Sequence, residues 1–263
     1  MKFYIIIACF LSIASSDVQS QTLTISYLGN MGVVIDDGKQ SLIIDGIHSF
    51  YDALYMYPPQ TLVDSILNRQ GRFDKVQSVF VTHRHRDHFD PLLTLRFLQH
   101  AGARAFVPRQ VVDSMALYKN FSSIQKRVTG LKPAGRDTLS GLSYPVIALN
   151  IPHTYQQRHH AVQNIGYIIE IAGKKILHVG DMDADNDVLE SLNLLQDKID
   201  IAILPLWMMY DADNRHLVEQ WIKPKTVIIT HVYSGEKESE LIEFEQSIPG
   251  SVIFYKLYQT VRF

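Results

Sequence analysis

The segment Thr82-His83-Arg84-His85-Arg86-Asp87-His88 constrains this chain more than any other feature of its sequence. It follows directly on the apolar run 76–81, which reads as a buried strand, so that strand must deliver three imidazoles and a carboxylate to its own end. Polar groups at that density are costly to bury unless each finds a partner. With 11 histidines in the chain, the order H-x-H-x-D-H has a chance occurrence on the order of 10⁻³. A solvated polar loop is a poor account of it. A tight turn after the strand can aim His83 and His85 at one divalent ion, while Asp87 and His88 reach a second a few ångströms away. Imidazole nitrogen and carboxylate oxygen suit zinc, and a site without thiolates favours hydrolysis over structural clamping.

The flanking pattern says what scaffold carries that loop. Leu23, Ile25 and Tyr27 alternate with polar residues, Gly29 to Gly32 turn the chain, and 33–36 and 41–45 flank the hairpin signal Asp37-Gly38. Residues 61–69 have helical spacing, with Leu62, Ile66 and Leu67 on one face. Pro91 stands where a helix can start, and Leu92, Leu95 and Leu98 supply its buried face. A second hairpin, 166–171 and 175–179, turns at Ala172-Gly173. Segments 199–204 and 226–230 read as buried strands, each followed by a helical segment. Early hairpins and later strand–helix alternation predict an α/β fold of two packed, mixed sheets covered by helices. There is no internal sequence repeat and no Pro-, Gly- or Ser-rich linker, so 21–263 reads as one domain. His83, Asp181 and His231 each fall just past an apolar strand, where side chains can converge on one edge.

Charge narrows the partners. The formal net charge is −2 and no run of basic residues is present, which argues against nucleic acid. At the N-terminus, Lys2, the apolar run 3–13 and then Ser15, Ser16, Asp17 and Ser20 follow the order of a secretory signal peptide. The apolar run is far shorter than the roughly 20 residues of a spanning helix. The expectation is an exported, periplasmic or secreted protein, with residues 1–20 removed and no stable membrane span. The only cysteine, Cys9, lies in that segment, so the mature chain has no thiolate ligand, cysteine nucleophile or disulfide.

These residues carry a family resemblance. The loop at 82–91 resembles the signature loop of the metallo-β-lactamase superfamily, and further motifs follow in that family's order. Ile151-Pro152-His153-Thr154 is similar to its third-histidine motif, His178-Val179-Gly180-Asp181 to its Gly-Asp carboxylate motif, and Ile228-Ile229-Thr230-His231 to its final histidine. Tyr27-Leu28-Gly29 and Ile44-Asp45-Gly46 fit its first strands. The resemblance covers nearly all of 22–254 and implies a four-layer αββα sandwich holding two divalent ions, Zn2+ first, with Mn2+ or Fe2+ as the alternatives. Carried over residue by residue, it implies His83, His85 and His153 on one ion, Asp87, His88 and His231 on the other, and Asp181 bridging both. The implied activity is hydrolysis of an ester, lactone, amide or phosphodiester by a shared hydroxide that Asp87 orients.

Within the superfamily, His88-Phe89-Asp90-Pro91 and Asn164-Ile165-Gly166-Tyr167 look most like the branch of L-ascorbate-6-phosphate lactonase and N-acylphosphatidylethanolamine phospholipase D. Asn30 departs from it, standing where that branch often has histidine. Two rivals to a hydrolase are a metal-binding protein without turnover and a di-iron oxidoreductase; the latter usually carries glutamate where this chain has His85.

The substrate side is read from aromatic and histidine clusters. Segment 48–59, with Tyr55, and segment 206–210, with Trp207 and Tyr210, are either an apolar substrate wall or ordinary core packing. His159 and its neighbour His160 follow His153 closely and either contact an anionic substrate or lie on the surface. His178 is expected to support Asp181 from behind. A small-molecule or lipid-like substrate fits these clusters, while oligomeric state leaves no mark in the sequence.

Overall fold

A computed structural model describes residues 22–263; the proposed leader and its cleavage site lie outside the described residues. The first half of the chain forms β1 (Thr24–Gly29), β2 (Gly32–Asp36), β3 (Ser41–Ile44), α1 (Gln60–Leu67), β4 (Val76–Phe80), α2 (Pro91–Ala101), β5 (Arg104–Pro108), α3 (Arg109–Ala116) and β6 (Val128–Leu131). The second half forms β7 (Arg136–Thr138), β8 (Val146–Ile151), α4 (Gln156–His159), β9 (Asn164–Ile171), β10 (Lys174–His178), α5 (Asn186–Leu192), β11 (Ile201–Pro205), α6 (Trp207–Tyr210), α7 (Ala212–Trp221), β12 (Thr226–Thr230), α8 (Glu238–Ser247), β13 (Ser251–Ile253) and β14 (Thr260–Arg262).

The strands make two sheets of seven, ordered β14-β1-β2-β3-β4-β5-β6 and β13-β12-β11-β10-β9-β8-β7. Read from β14 and from β7, each sheet has three antiparallel pairings followed by three parallel ones. The topology therefore repeats although the sequence does not. The two inner faces pack on each other through Ile25, Tyr27, Ile35, Leu42 and Phe80 from one sheet and Val146, Tyr167, Ile169, Ile176 and Ile203 from the other. The alternate residues Val34, Ile43, Val79 and Val81 face outward against α1 and α2, as Leu177, Leu204 and Ile229 do against α5 and α7. Strands buried on both faces carry little polar alternation, which is why 226–230 reads as an apolar run; in β4 the one exposed side chain is Gln77. This is the expected αββα sandwich.

Both hairpins form where the turn residues put them: Gly38, Ala172 and Gly173 all take positive φ. Helix α2 starts at Pro91, with Asp90 Oδ1 accepting from the Leu92 and Leu93 amides at 2.9 Å each. Its buried face is Thr94, Leu95, Phe97 and Leu98, not the Leu92–Leu95–Leu98 stripe; Leu92 is 47% exposed. At about 100° per residue, Leu92 lies well off the direction of Leu98, so a three-residue spacing was the wrong register. Among the described residues no helix is long and apolar enough to cross a membrane.

At the carboxyl ends of β1, β3 and β4 in one sheet, and of β8, β10, β11 and β12 in the other, loops meet at a single edge of the sandwich. Those loops carry Asn30, Asp45, His83 to His88, His153, Asp181, Trp207 and His231.

Candidate metal centre

Asp45 organises the floor of this edge. It sits just past β3 at φ 49°, and its Oδ1 accepts the Thr82 amide at 2.7 Å. Its Oδ2 accepts the Thr82 hydroxyl at 2.6 Å and the His88 Nδ1–H at 2.9 Å. Because the Thr82 proton is committed to Asp45, Thr82 Oγ1 can only accept from His83 Nδ1, 3.0 Å away. His153 Nδ1 donates to the Thr154 carbonyl at 2.8 Å. The tautomers follow: the Nε2 atoms of His83 and His153 bear lone pairs, yet both are buried without a hydrogen-bond partner. Amides of His88 and Phe89 both donate to the His85 carbonyl, at 3.1 and 3.0 Å, and this curl turns Asp87 and His88 back over the strand end.

The opposite side is held from the second sheet. Gly180 takes φ +62°, and a Cβ there would stand 2.7 Å from Thr82 Cβ and collide with the Asn164 carboxamide, so only glycine can precede Asp181. The Gly180 amide donates to His178 Nδ1 at 3.2 Å, and His178 Nε2 donates to the Met31 carbonyl at 3.0 Å. His178 thus fixes the backbone before Asp181, as expected. His231 follows β12 at φ 57°, with its amide donating to the Asn30 carbonyl at 3.0 Å.

Asp181 is the point of convergence. Its Oδ2 lies 3.8 Å from His83 Nε2, 3.7 Å from His153 Nε2 and 3.6 Å from His231 Nε2; its Oδ1 lies 3.2 Å from His88 Nε2. Asp87 Oδ2 lies 3.6 Å from His88 Nε2 and 3.7 Å from His231 Nε2. Most of these separations are too long for hydrogen bonds. They match donors arranged around an ion, since tetrahedral bonds of about 2.0–2.2 Å put neighbouring ligand atoms about 3.3–3.6 Å apart. Two such groups form: His83, His85, His153 and Asp181, and Asp87, His88 and His231, with the ligand atoms of each within 4.8 Å of one another. All seven residues named from the sequence are brought together, and the donors fit divalent metal.

The electrostatics agree. Burial, reinforced by the neighbouring His88, drives His83 well below the usual imidazole range. Burial and then His153 take His85 down to about 4, and burial lowers His153. All three are neutral at pH 7, as metal ligands must be. Burial opposes charge on His88 and His231 too, but there the Asp181 carboxylate wins and raises both, with Asp87 assisting. Against burial, His88 draws Asp87 down to about 2 and Asp181 well below the ordinary carboxyl range. Without metal, the floor holds its two carboxylates as anions and gathers protons against them. It is built for positive charge.

A cavity of about 870 Å³ opens over this floor. Tyr55 and Trp207 flank His231 edge-on, with ring centroids 5.3 and 4.7 Å away, and His159 stands 4.9 Å from both His85 and His153. Tyr210 lines an adjoining side arm of about 550 Å³ and packs on Phe244. His160 lies outside both cavities. The two aromatic segments divide between roles: Tyr51, Tyr55 and Trp207 face the cavity, whereas Met208 and Met209 are buried core. Sequence reasoning marked Asn30 only as a departure from the branch and gave neither it nor Asp45 a role at the site; Asn30 Nδ2 donates to Asp87 Oδ2 at 3.1 Å. Asp45 had a signal, since it ends an apolar strand as His83 does. Arg84, Arg86, Arg158, Tyr155 and Tyr233 on the cavity wall had none.

A family model described as "Beta-lactamase superfamily domain" matches residues 58–231, about two thirds of the chain. The chain belongs to the beta-lactamase superfamily. The match takes in the loop after β4, His153, Asp181 and His231. A UPF0173 metal-dependent hydrolase of Pyrococcus abyssi is 24% identical over 212 residues, covering 79% of this chain and 83% of the relative. Among solved structures, Igni18, a metallo hydrolase of Ignicoccus hospitalis, superposes with TM-score 0.63 at 18% identity over 92% of this chain and 98% of its own. CmlA, a diiron β-hydroxylase of Streptomyces venezuelae, does so with TM-score 0.61 at 14% identity over 92% of this chain and 54% of its own. Superfamily architecture thus spans proteins described by different chemistries, and function must be argued from the site.

Proposed function

We propose that this chain is a dinuclear metal-dependent hydrolase acting on an ester, lactone, amide or phosphodiester. The observation that carries the reading is the convergence on Asp181 of two groups of His and Asp ligand atoms, with Nε2 of His83 and of His153 buried and partnerless in the first group. His83, His85 and His153 would hold one ion, Asp87, His88 and His231 the other, and Asp181 would serve both; the thiolate-free donor set favours Zn2+. Two bound divalent ions supply a strong nucleophile from water at neutral pH and Lewis acidity for the oxygen on which charge develops.

The chain's own residues do the rest. Asp87 is held as a carboxylate across neutral pH, and Asn30 donating to its Oδ2 fixes the orientation from which that oxygen can accept a proton. Asp45 and Thr82 keep His83 and His88 in the tautomers that present Nε2 inward. Tyr55, Trp207 and His159 shape the space where substrate must lie. Within the superfamily, the His88-Phe89-Asp90-Pro91 continuation supports a place near the branch of the ascorbate-phosphate lactonase and the phospholipase D named above.

The test is metal analysis of protein loaded with excess zinc, together with turnover on lactone, phosphodiester, phospholipid and β-lactam substrates and a chelated control. Two ions per chain and chelator-sensitive turnover are expected. One ion or fewer removes the dinuclear reading, and two ions with no turnover on any substrate leave a metal-binding protein.

A further inference from the structure

Arginine side chains in this molecule are mostly committed. Those of Arg72, Arg104, Arg127, Arg136 and Arg215 each donate to a hydroxyl, carbonyl or carboxylate. Arg84, Arg86 and Arg158 are different. Among the described residues their guanidinium groups, like those of Arg96 and Arg262, neither donate to a protein acceptor nor lie within 4.0 Å of a carboxylate, and these three alone of that set line the cavity over the candidate metal centre.

Their place in the chain brings their charge to the reacting centre. Arg84 and Arg86 interleave His83, His85 and Asp87 on the loop after β4, and Arg158 precedes His159 on α4, whose ring touches His85 and His153. Arg86 lies over the Tyr51 ring at 5.2 Å, a stacking that limits its rotamers and uses none of its N–H donors on a protein acceptor. The acidic groups of the cavity offset this charge only in part: Asp87 and Asp181 face the imidazoles, and the one remaining carboxylate, Asp183, which accepts the Thr154 hydroxyl, stands against three arginines. The same cavity is lined by the aromatic side chains of Tyr55, Trp207 and Tyr233, and Tyr155, Trp207 and Tyr233 also line the side arm that holds Tyr210.

Resting on the hydrolase reading above, we infer that Arg84, Arg86 and Arg158 form an anion subsite that selects a phosphodiester carrying an aromatic or long apolar arm. A phosphodiester is the ester whose reacting centre itself bears the negative charge, which matches arginines threaded between floor residues better than a charge at a distant end. One of its two arms can enter the aromatic side arm while the other stays in the main cavity. Guanidinium forks suit phosphate oxygens in paired, charge-assisted hydrogen bonds. Hydrolysis is balanced by water alone: oxygen from water forms the new P–O bond, one ester P–O bond breaks, and the leaving alkoxide or phenoxide takes the proton.

Binding rather than turnover tests this first. Titration calorimetry on the zinc-loaded full chain compares diphenyl phosphate with methyl diphenyl phosphate, which has the same rings and no charge. The anion should bind at least about tenfold more tightly, and that preference should collapse in the triple variant Arg84→Gln, Arg86→Gln, Arg158→Gln. Circular dichroism should show the variant folded, because all three side chains are exposed. Equal binding of the two probes overturns the inference, and so does an anion preference that survives in the triple variant, since the metals alone would then explain it. Tighter binding of diphenylacetate than of diphenyl phosphate overturns the phosphate assignment. Turnover separates this inference from the one beneath it. Cleavage of p-nitrophenyl acetate without bis(p-nitrophenyl) phosphate keeps the hydrolase and removes the phosphodiester. Arginine-dependent anion binding with no turnover on any substrate removes the hydrolase and keeps the subsite.

Discussion

On the floor of the cavity most polar side chains are buried and several are cross-braced; on its wall most are exposed and free. Asp45 alone fixes Thr82, and through it His83, as well as His88, while Gly180, His178 and Asn30 fix the backbone or side chains of Asp181 and Asp87. Wall residues such as Tyr155 and Tyr210, at 71% and 70% exposure, have no comparable support. A floor of that kind can hold ions at fixed spacing, because His83, His88, His153 and Asp87 cannot swing without breaking a buried hydrogen bond. The wall can change its substrate without disturbing the chemistry. Rigidity is placed where charge is concentrated, and tolerance where recognition happens.

The sharpest way to break this contrast is at its centre. Asp181→Ala should lower turnover by about 10³-fold or more, because it removes the carboxylate that both ligand groups face. Secondary structure should persist, since Asp181 follows a strand end and is not part of an apolar cluster. His100→Ala, in the last turn of α2 and outside both cavities, should stay within about twofold of wild type. Comparable turnover in folded Asp181→Ala and wild type would remove Asp181 from the chemistry.

The floor should also be the acid-sensitive part of the metal-free protein. His48, buried behind it, is lowered to about 4 by burial and then by His88. An unfolded histidine takes its proton near pH 6.5, whereas folded His48 stays neutral until about pH 4. The unfolded state therefore binds more protons in that window, so the stability present above pH 6.5 is lost as pH falls towards 4. The loss is roughly 3 kcal/mol from this group. Urea unfolding of chelated protein at pH 7.5 and near pH 4 should show a fall that is smaller by about that amount in His48→Gln. An equal fall in both proteins would contradict the assignment.

A smaller effect should come from the brace itself. Asp45→Asn keeps the size of the side chain but removes the charge and one acceptor facing His88 and Thr82. Zinc affinity, read by competition with a chromophoric chelator, should weaken about 10- to 100-fold. Unchanged affinity would mean that the ligand tautomers are set without Asp45.

Much of this site could be read from the sequence because its densest part is contiguous. An apolar run of strand length followed by His83, His85, Asp87 and His88 predicts both the strand and the ligands at its end, since strand burial and turn geometry are local properties. The hairpins at Asp37-Gly38 and Ala172-Gly173 and the start of α2 at Pro91 were legible for the same reason. His153, Asp181 and His231 are single residues in ordinary surroundings, and only their order in a family pattern marked them. Short strands such as β7, β13 and β14 gave no signal, because three residues are too few to establish a period.

The sequence by itself therefore determined the two-sheet α/β class, the ligand types and the absence of thiolate from residues 21–263. It also carries the leader reading, which rests on residues 1–20 alone. Only the tertiary structure decided that β14 returns to pair with β1, that Asp45 stands behind His88, and that Arg84, Arg86 and Arg158 share a wall with Tyr155 and Tyr233. The physical reason is range. Periodicity, turn chemistry and ligand spacing act over a few residues, whereas hydrogen-bond partners 43 residues apart, as Asp45 and His88 are, meet only once β3 and β4 have paired in the sheet.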